Sequence, residues 1–253
     1  MKSVRIRNIV IGEGLPKICV PITGPRKEDV LSEARHMPEI HPDVVELRAD
    51  CFDDVCDFET LENTLSEVRE ILGDTPILFT IRSFNEGGAK EINDEAYIDI
   101  NISAVQSGLI DMVDVELFKG KDIVEKIVEV AHDDGVSVII SNHDFKSTPN
   151  KEIIAKRLCA MQDMGADIVK IALMPNNEDD VNTLIDAATE VCRDATCPVI
   201  AISMGDMGRV SRTDCERIGT SVTFASATNS SAPGQINIKE LREELMNKHG
   251  LSY

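Results

Sequence analysis

The sequence predicts an α/β protein, a (β/α)8 TIM barrel entered through an N-terminal β-hairpin. Short runs rich in valine, isoleucine and leucine recur along the whole chain, and each is followed by a polar or amphipathic segment of helical length. Eight such units fit into 253 residues, which is the arithmetic of a (β/α)8 barrel. The runs are apolar almost continuously, as expected of parallel strands covered by helices. A doubly wound open sheet is the rival, but no GxGxxG follows the first strand. No linker-like shift in composition and no low-complexity segment interrupts the rhythm, so residues 1–253 read as one domain.

In chain order, residues 4–11 alternate weakly and end at Gly12-Glu13-Gly14, a hairpin-like lead-in. The first barrel strand is 17–22 (KICVPI), followed by a helix over 27–36. The second is 44–50 (VVELRAD), with a helix at 58–72, and the third is 77–82 (ILFTIR), with a loop and a helix near 93–107. Strand 112–117 precedes a helix over 122–133, and strand 136–144 precedes one over 151–164. The sixth strand lies within GADIVKIALMP (165–175) and precedes a helix over 178–192. Strand 198–204 leads to a helix over 212–218, and strand 222–225 to a last helix over 238–248.

Composition narrows the function. Hydrophobic residues make up 42% of the chain, enough for a large core, yet no apolar run approaches the length of a membrane span. Met1 leads straight into structure-like sequence without a charged-apolar-small leader, which predicts a cytoplasmic protein. A formal charge of −19 argues against nucleic acid or an anionic membrane as partner. An anionic substrate would need local arginines, whose buried charges are screened far less than the surface field. Seven cysteines form no CxxC pair and read as free thiols of a reducing compartment. The five histidines show no HxxxH or HExxH spacing, so no metal is expected.

Lys170 stands alone in an apolar strand. Burial disfavours the ammonium, and a neutral amine attacks carbonyls, so this is a candidate Schiff-base lysine. An outward lysine on an edge strand is the plain alternative, and its company decides against it. In a barrel the site is built at the carboxyl ends of the strands. There the sequence delivers Glu46, Arg48 and Asp50, then Arg82 and Glu86, Glu116, His143-Asp144, and Ser203-Met204-Gly205. Burying so many ionisable groups costs several kcal/mol each unless they are paired or used. The chemistry is then a ketone attacked by Lys170, with His143, titrating near neutrality, moving a proton and Glu86 orienting that imidazole. Rim arginines suit the hydroxyl and carboxylate groups of an anionic substrate. Residues 226–235, rich in small side chains, read as a lid bringing Ser231 and Gln235. These residues do not separate a lyase that eliminates water from a class I aldolase that breaks a carbon–carbon bond.

The blocks GEGxPKI (12–18), ELRAD (46–50), RSFNEGG (82–88), DVELF (114–118), SNHDF (141–145), VKIALMP around Lys170, SMG with Ser211-Arg212, and SAPGQI (231–236) resemble the type I 3-dehydroquinate dehydratases. The resemblance runs from residue 12 to 236 in order. It implies a (β/α)8 barrel, usually dimeric, acting in the shikimate route to aromatic amino acids. It also implies an imine between Lys170 and the ring ketone of 3-dehydroquinate, with His143 as general base and then acid, supported by Glu86. Arg212, Ser231 and Gln235 would hold the substrate carboxylate, and Glu46, Arg48 and Arg82 the ring hydroxyls. No metal or nucleotide cofactor is implied, since the lysine supplies the electron sink. Leu47 replaces a tryptophan frequent in the second-strand motif and should face the helices, a packing change. Pro21 stands where some members carry a serine, which removes one hydrogen bond to substrate. An aldolase on another keto-acid, or a catalytically silent barrel that binds an anion, are the alternatives.

Overall fold

The computed structural model describes residues 3–227 and 231–248. A two-stranded antiparallel hairpin, β1 (Val4–Ile6) and β2 (Ile9–Ile11), leads into a parallel sheet. Its strands are β3 (Lys17–Ile22), β4 (Val44–Arg48), β5 (Ile77–Thr80), β6 (Met112–Glu116), β7 (Ser137–Asp144), β8 (Ile168–Leu173), β9 (Val199–Ser203) and β10 (Val222–Ser226), each paired with the next in sequence from β3 to β9. β10 pairs with β3. The seam between β9 and β10 closes through a parallel bridge, Val199 to Thr220, and through the Ser221 amide donating to the Val199 carbonyl at 2.8 Å. The curled sheet is therefore the (β/α)8 barrel the sequence predicts. A short β11 (Ile236–Asn237) adds to the edge of β10.

Between the strands run α1 (Lys27–Ile40), α2 (Phe58–Leu72), α3 (Asp94–Gln106), α4 (Lys121–Asp133), α5 (Lys151–Asp163) and α6 (Glu178–Asp194), with α9 (Ile238–Lys248) last. Asp57, Asn93, Asn150 and Asn177 start their helices by accepting the amides of Thr60, Ala96, Ile153 and Asp180. Each such cap contributes about 1 kcal/mol. α1 runs past the predicted end at residue 36, because Met37 and Ile40 continue its buried face beyond Ala34. The helix predicted over 212–218 is two short turns instead, α7 (Val210–Thr213) and α8 (Cys215–Ile218). Asp214 breaks the helical path between them with ψ of 38°.

Strand alternation sorts the core into two layers. One set of side chains, such as Val45, Leu47, Val113 and Ile171, packs under the helices. The other set, including Cys19, Val44, Leu78, Met112, Ile139, Ile168, Ile200 and Val222, fills the barrel floor, and Ile6 and Ile11 of the hairpin pack onto it. Leu47 thus lies on the helix side, as the sequence suggests. Above that floor inward positions on β4 to β8 turn polar, among them Glu46, Thr80, Asp114, Ser141 and Lys170. Among the described residues no helix is long and apolar enough to cross a membrane.

Candidate active site

One pocket at the carboxyl ends of the strands is lined by Glu46, Arg48, Arg82, Glu86, His143 and Lys170. Arg212, Ser231 and Gln235 complete the polar wall, whereas Asp50, Glu116, Asp144 and Ser203, also nominated at strand ends, do not line it. Ala172, Ile202, Met204 and Phe224 form an apolar wall on the other side.

Lys170 is an inward position of β8 and is 3% exposed. Its Nζ donates to Asp114 Oδ2 at 3.1 Å, lies 3.9 Å from Glu46 Oε1 and sits 4.3 Å above the Phe224 ring. Asp114, which the sequence does not single out, shares its strand face with Glu116, two positions on. It is fully buried, accepts from Ser141 Oγ at 2.5 Å and pairs with Arg82 at 3.0 Å. Burial alone would raise its pKa, but Arg82 and Lys170 outweigh burial and hold the carboxyl well below the usual range. A permanent anion therefore sits under the amine. Thr80 Oγ1 donates to Glu46 at 2.9 Å and fixes the second carboxylate.

The strands end earlier than predicted at several of these positions. Asp50 and Glu86 lie in single 3-10 turns, Ala49–Cys51 and Phe84–Glu86, and Arg82 lies just past β5. Tertiary bonds hold these ends in place. Asp50 takes a two-pronged contact from Arg48 at 2.9 and 2.8 Å and also accepts the amides of Arg82 and Ala89. Arg82 spans Asp114 and Glu116, each at 3.0 Å, so its guanidinium braces the carboxylates as well as facing the pocket. Glu116 itself lies outside the pocket lining. Ser203 falls on the helix side of β9, where its amide donates to Ser211 Oγ; Ile202 of β9 and Met204 just past its end face the pocket instead.

Glu86 Oε2 accepts the His143 amide at 2.8 Å and faces His143 Nδ1 at 3.1 Å. An ionised Glu86 places the proton on Nδ1 and leaves Nε2 as the free base. Burial, and then the neighbouring Glu116, push Glu86 up to about 7. His143 departs from the expectation of titration near neutrality. Burial, with Arg82 and Lys170 nearby, drives it well below its ordinary value, so the imidazole is neutral at pH 7.

Arg212 is 1% exposed and among the described residues meets no carboxylate within ion-pairing distance. Among the described residues its partners are the carbonyls of Phe224 and Pro233, at 3.1 and 3.2 Å, and its buried Nε has none. Burial lowers its pKa to about 10, still a cation at neutral pH. A buried guanidinium of this kind suits an incoming carboxylate. The turn over residues 231–235 is latched beside it. The Gly205 amide donates to the Pro233 carbonyl at 3.1 Å, and a Cβ on Gly234 would meet the Gly205 carbonyl oxygen at 2.3 Å. Gly234 also has φ +73°, so a side chain there is excluded twice. Ser231 and Gln235 hydrogen-bond each other across this turn, Gln235 Nε2 donating to Ser231 Oγ at 3.0 Å. The centre of the predicted lid, residues 228–230, and His249 lie outside the described residues. Pro21 shares register with Glu46 and brings no side-chain donor to that end of β3.

The comparisons with known proteins point to one family. A family model described as type I 3-dehydroquinase matches residues 18–252. The 3-dehydroquinate dehydratase of Clostridioides difficile (strain 630) is 46% identical over 245 residues, 96% of each chain. That of Listeria monocytogenes serotype 4a (strain HCC23) is also 46% identical, over 97% of each chain. The crystal structure of the type I enzyme from Clostridium difficile, which holds covalently modified comenic acid, superposes with a TM-score of 0.96 at 45% identity, covering 98% of both chains. The 3-dehydroquinate dehydratase from Geobacillus kaustophilus HTA426 gives a TM-score of 0.96 at 37% identity, covering 100% of this chain and 98% of that one. By fold, site and relatives together, the chain is an enzyme of the type I 3-dehydroquinase family.

Proposed function

We propose that this enzyme dehydrates 3-dehydroquinate to 3-dehydroshikimate, within the shikimate route, through an imine on Lys170. The observation that carries the proposal is a buried lysine amine sharing one pocket with a histidine backed by a carboxylate. The Lys170 amine adds to the ring ketone, and loss of water gives the iminium. Neutral His143 Nε2 then takes the C2 proton, and the electron pair moves into the iminium to give an enamine. The pair returns as the C1 hydroxyl leaves, taking its proton from His143 and departing as water. Hydrolysis of the imine releases the enone and restores the amine, so the sum is loss of one water.

Asp114 serves as the counter-charge under the nitrogen and favours the protonated imine, which is the better electron sink. Arg212 receives the substrate carboxylate, with Ser231 and Gln235 closing beside it. Glu46, Arg48 and Arg82 face the ring hydroxyls. That the Clostridium difficile relative holds covalently modified comenic acid supports a reading with a covalent step. On the same reading, residues 1–253 work as one barrel domain, as a cytoplasmic homodimer; seven free cysteines suit that reducing compartment.

Mixing the protein with 3-dehydroquinate and following the enone absorbance tests the proposal. A single enone product is expected, whereas two fragments would indicate an aldolase, and binding in calorimetry without turnover a silent barrel. The pH profile adds a second check. Glu86 must be ionised to hold the His143 tautomer, and its pKa sits at about 7. Protonation removes the charge that favours Nδ1–H and adds a competing O–H donor, so kcat/KM falls as pH drops through about 7 and recovers above it. A profile flat from about pH 5 to about pH 8 would contradict that role for Glu86.

A further inference from the structure

We propose that Asn142 and Arg157, which lie outside the pocket, are positioning residues that fix the state of Glu86 and through it the base His143. Asn142 sits between the inward-facing Ser141 and His143 on β7, is 2% exposed, and points to the helix layer. Its amide bridges two charged groups. Oδ1 accepts from Arg157 Nη1 at 2.9 Å, and Nδ2 donates to Glu86 Oε1 at 3.1 Å. Arg157 belongs to α5, and its guanidinium lies 5.2 Å from the centre of the Phe118 ring.

The logic is one of forced orientation. A guanidinium only donates, so it can take only the oxygen end of the Asn142 amide. That leaves the NH2 end for the Glu86 carboxylate. Rotating the amide by half a turn would set N–H against N–H on one side and oxygen against oxygen on the other. Arg157 therefore dictates that Glu86 receives a donor. Glu86 faces Arg82 from the end of β5, Glu116 from β6, and Asn142 and His143 from β7. Burial and Glu116 oppose its ionisation, while Arg82, the His143 amide and Asn142 favour it. Without Arg157 the amide is released, and the balance tips toward the protonated carboxyl, whose O–H can donate and which no longer dictates a proton on Nδ1.

This inference rests on the dehydratase reading, and the experiment separates the two. The pH dependence of kcat/KM on 3-dehydroquinate would be measured for the wild type, Arg157→Leu, Asn142→Leu and the double variant. A hydrogen bond to a charged group corresponds to about one pH unit, so the acid midpoint of Arg157→Leu should rise by that much. Activity would then fall about tenfold at about pH 6 and little at about pH 9. In the Asn142→Leu background, Arg157→Leu should add no further shift. An equal shift in both backgrounds would mean that Arg157 acts by through-space charge alone, and would overturn the relay. An unmoved midpoint in Arg157→Leu would overturn it as well, while an inactive wild type would overturn the dehydratase reading itself. Should Arg157→Leu fail to fold, Asn142→Asp keeps a partner for the arginine but removes the donor to Glu86. Its midpoint must rise at least as far, and an unchanged one counts against the inference.

Discussion

Lys170→Met abolishes turnover of 3-dehydroquinate and leaves the barrel folded. Methionine fills nearly the same buried volume, so the packing against Phe224 survives while the nucleophile is lost. The cost falls on the electrostatics below. Asp114 loses one of its two cationic partners but retains Arg82 and the Ser141 hydroxyl, so its charge stays paired. A modest drop in melting temperature together with activity at background is the expected result. On the proposed mechanism the imine is the electron sink for C2 deprotonation, and no other group in the pocket replaces it. Turnover of this variant at the wild-type rate, measured by enone formation, would show that the reaction does not pass through Lys170.

His143→Ala separates the two stages of the chemistry. The amine of Lys170 remains, so the variant still forms an imine with substrate. Proton removal and delivery then fall to water, and general acid–base help contributes about 10²–10⁴-fold. Single-turnover assays should therefore show adduct accumulation and slow enone release. Wild-type single-turnover rates would mean that the base is another residue. The neutral state of His143 at pH 7 matters here. A protonated imidazole could not accept the C2 proton, and burial beside Arg82 and Lys170 keeps it deprotonated.

The barrel is legible in the sequence because its physics is local. Buried parallel strands demand continuous apolar runs, and KICVPI, VVELR and IVKIAL supply them at regular spacing. The same alternation makes Glu46, Arg48 and Lys170 readable as inward polar positions. Asp114 carries that signal too, two residues before Glu116, but in MVDVE a lone aspartate looks like a strand end rather than the floor of a site. Its closeness to Lys170 comes from strand register, which pairs β6 with β7 and β7 with β8. Such long-range geometry is not written in one segment. The break between α7 and α8 has a similar origin, since Ser211 bonds back to the Ser203 amide and Arg212 reaches the Phe224 and Pro233 carbonyls. The contact of Arg157 with Asn142 likewise joins a helix to the outer face of a strand, and each residue looks ordinary in its own segment.

The central claim is that Lys170 bonds covalently to the substrate ketone during dehydration. Borohydride added to a mixture of protein and 3-dehydroquinate, followed by peptide mass spectrometry, tests it most directly. A reduced substrate adduct on Lys170 is predicted, with enone formed when borohydride is omitted. Enone without any adduct, or an adduct on a different residue, would contradict it.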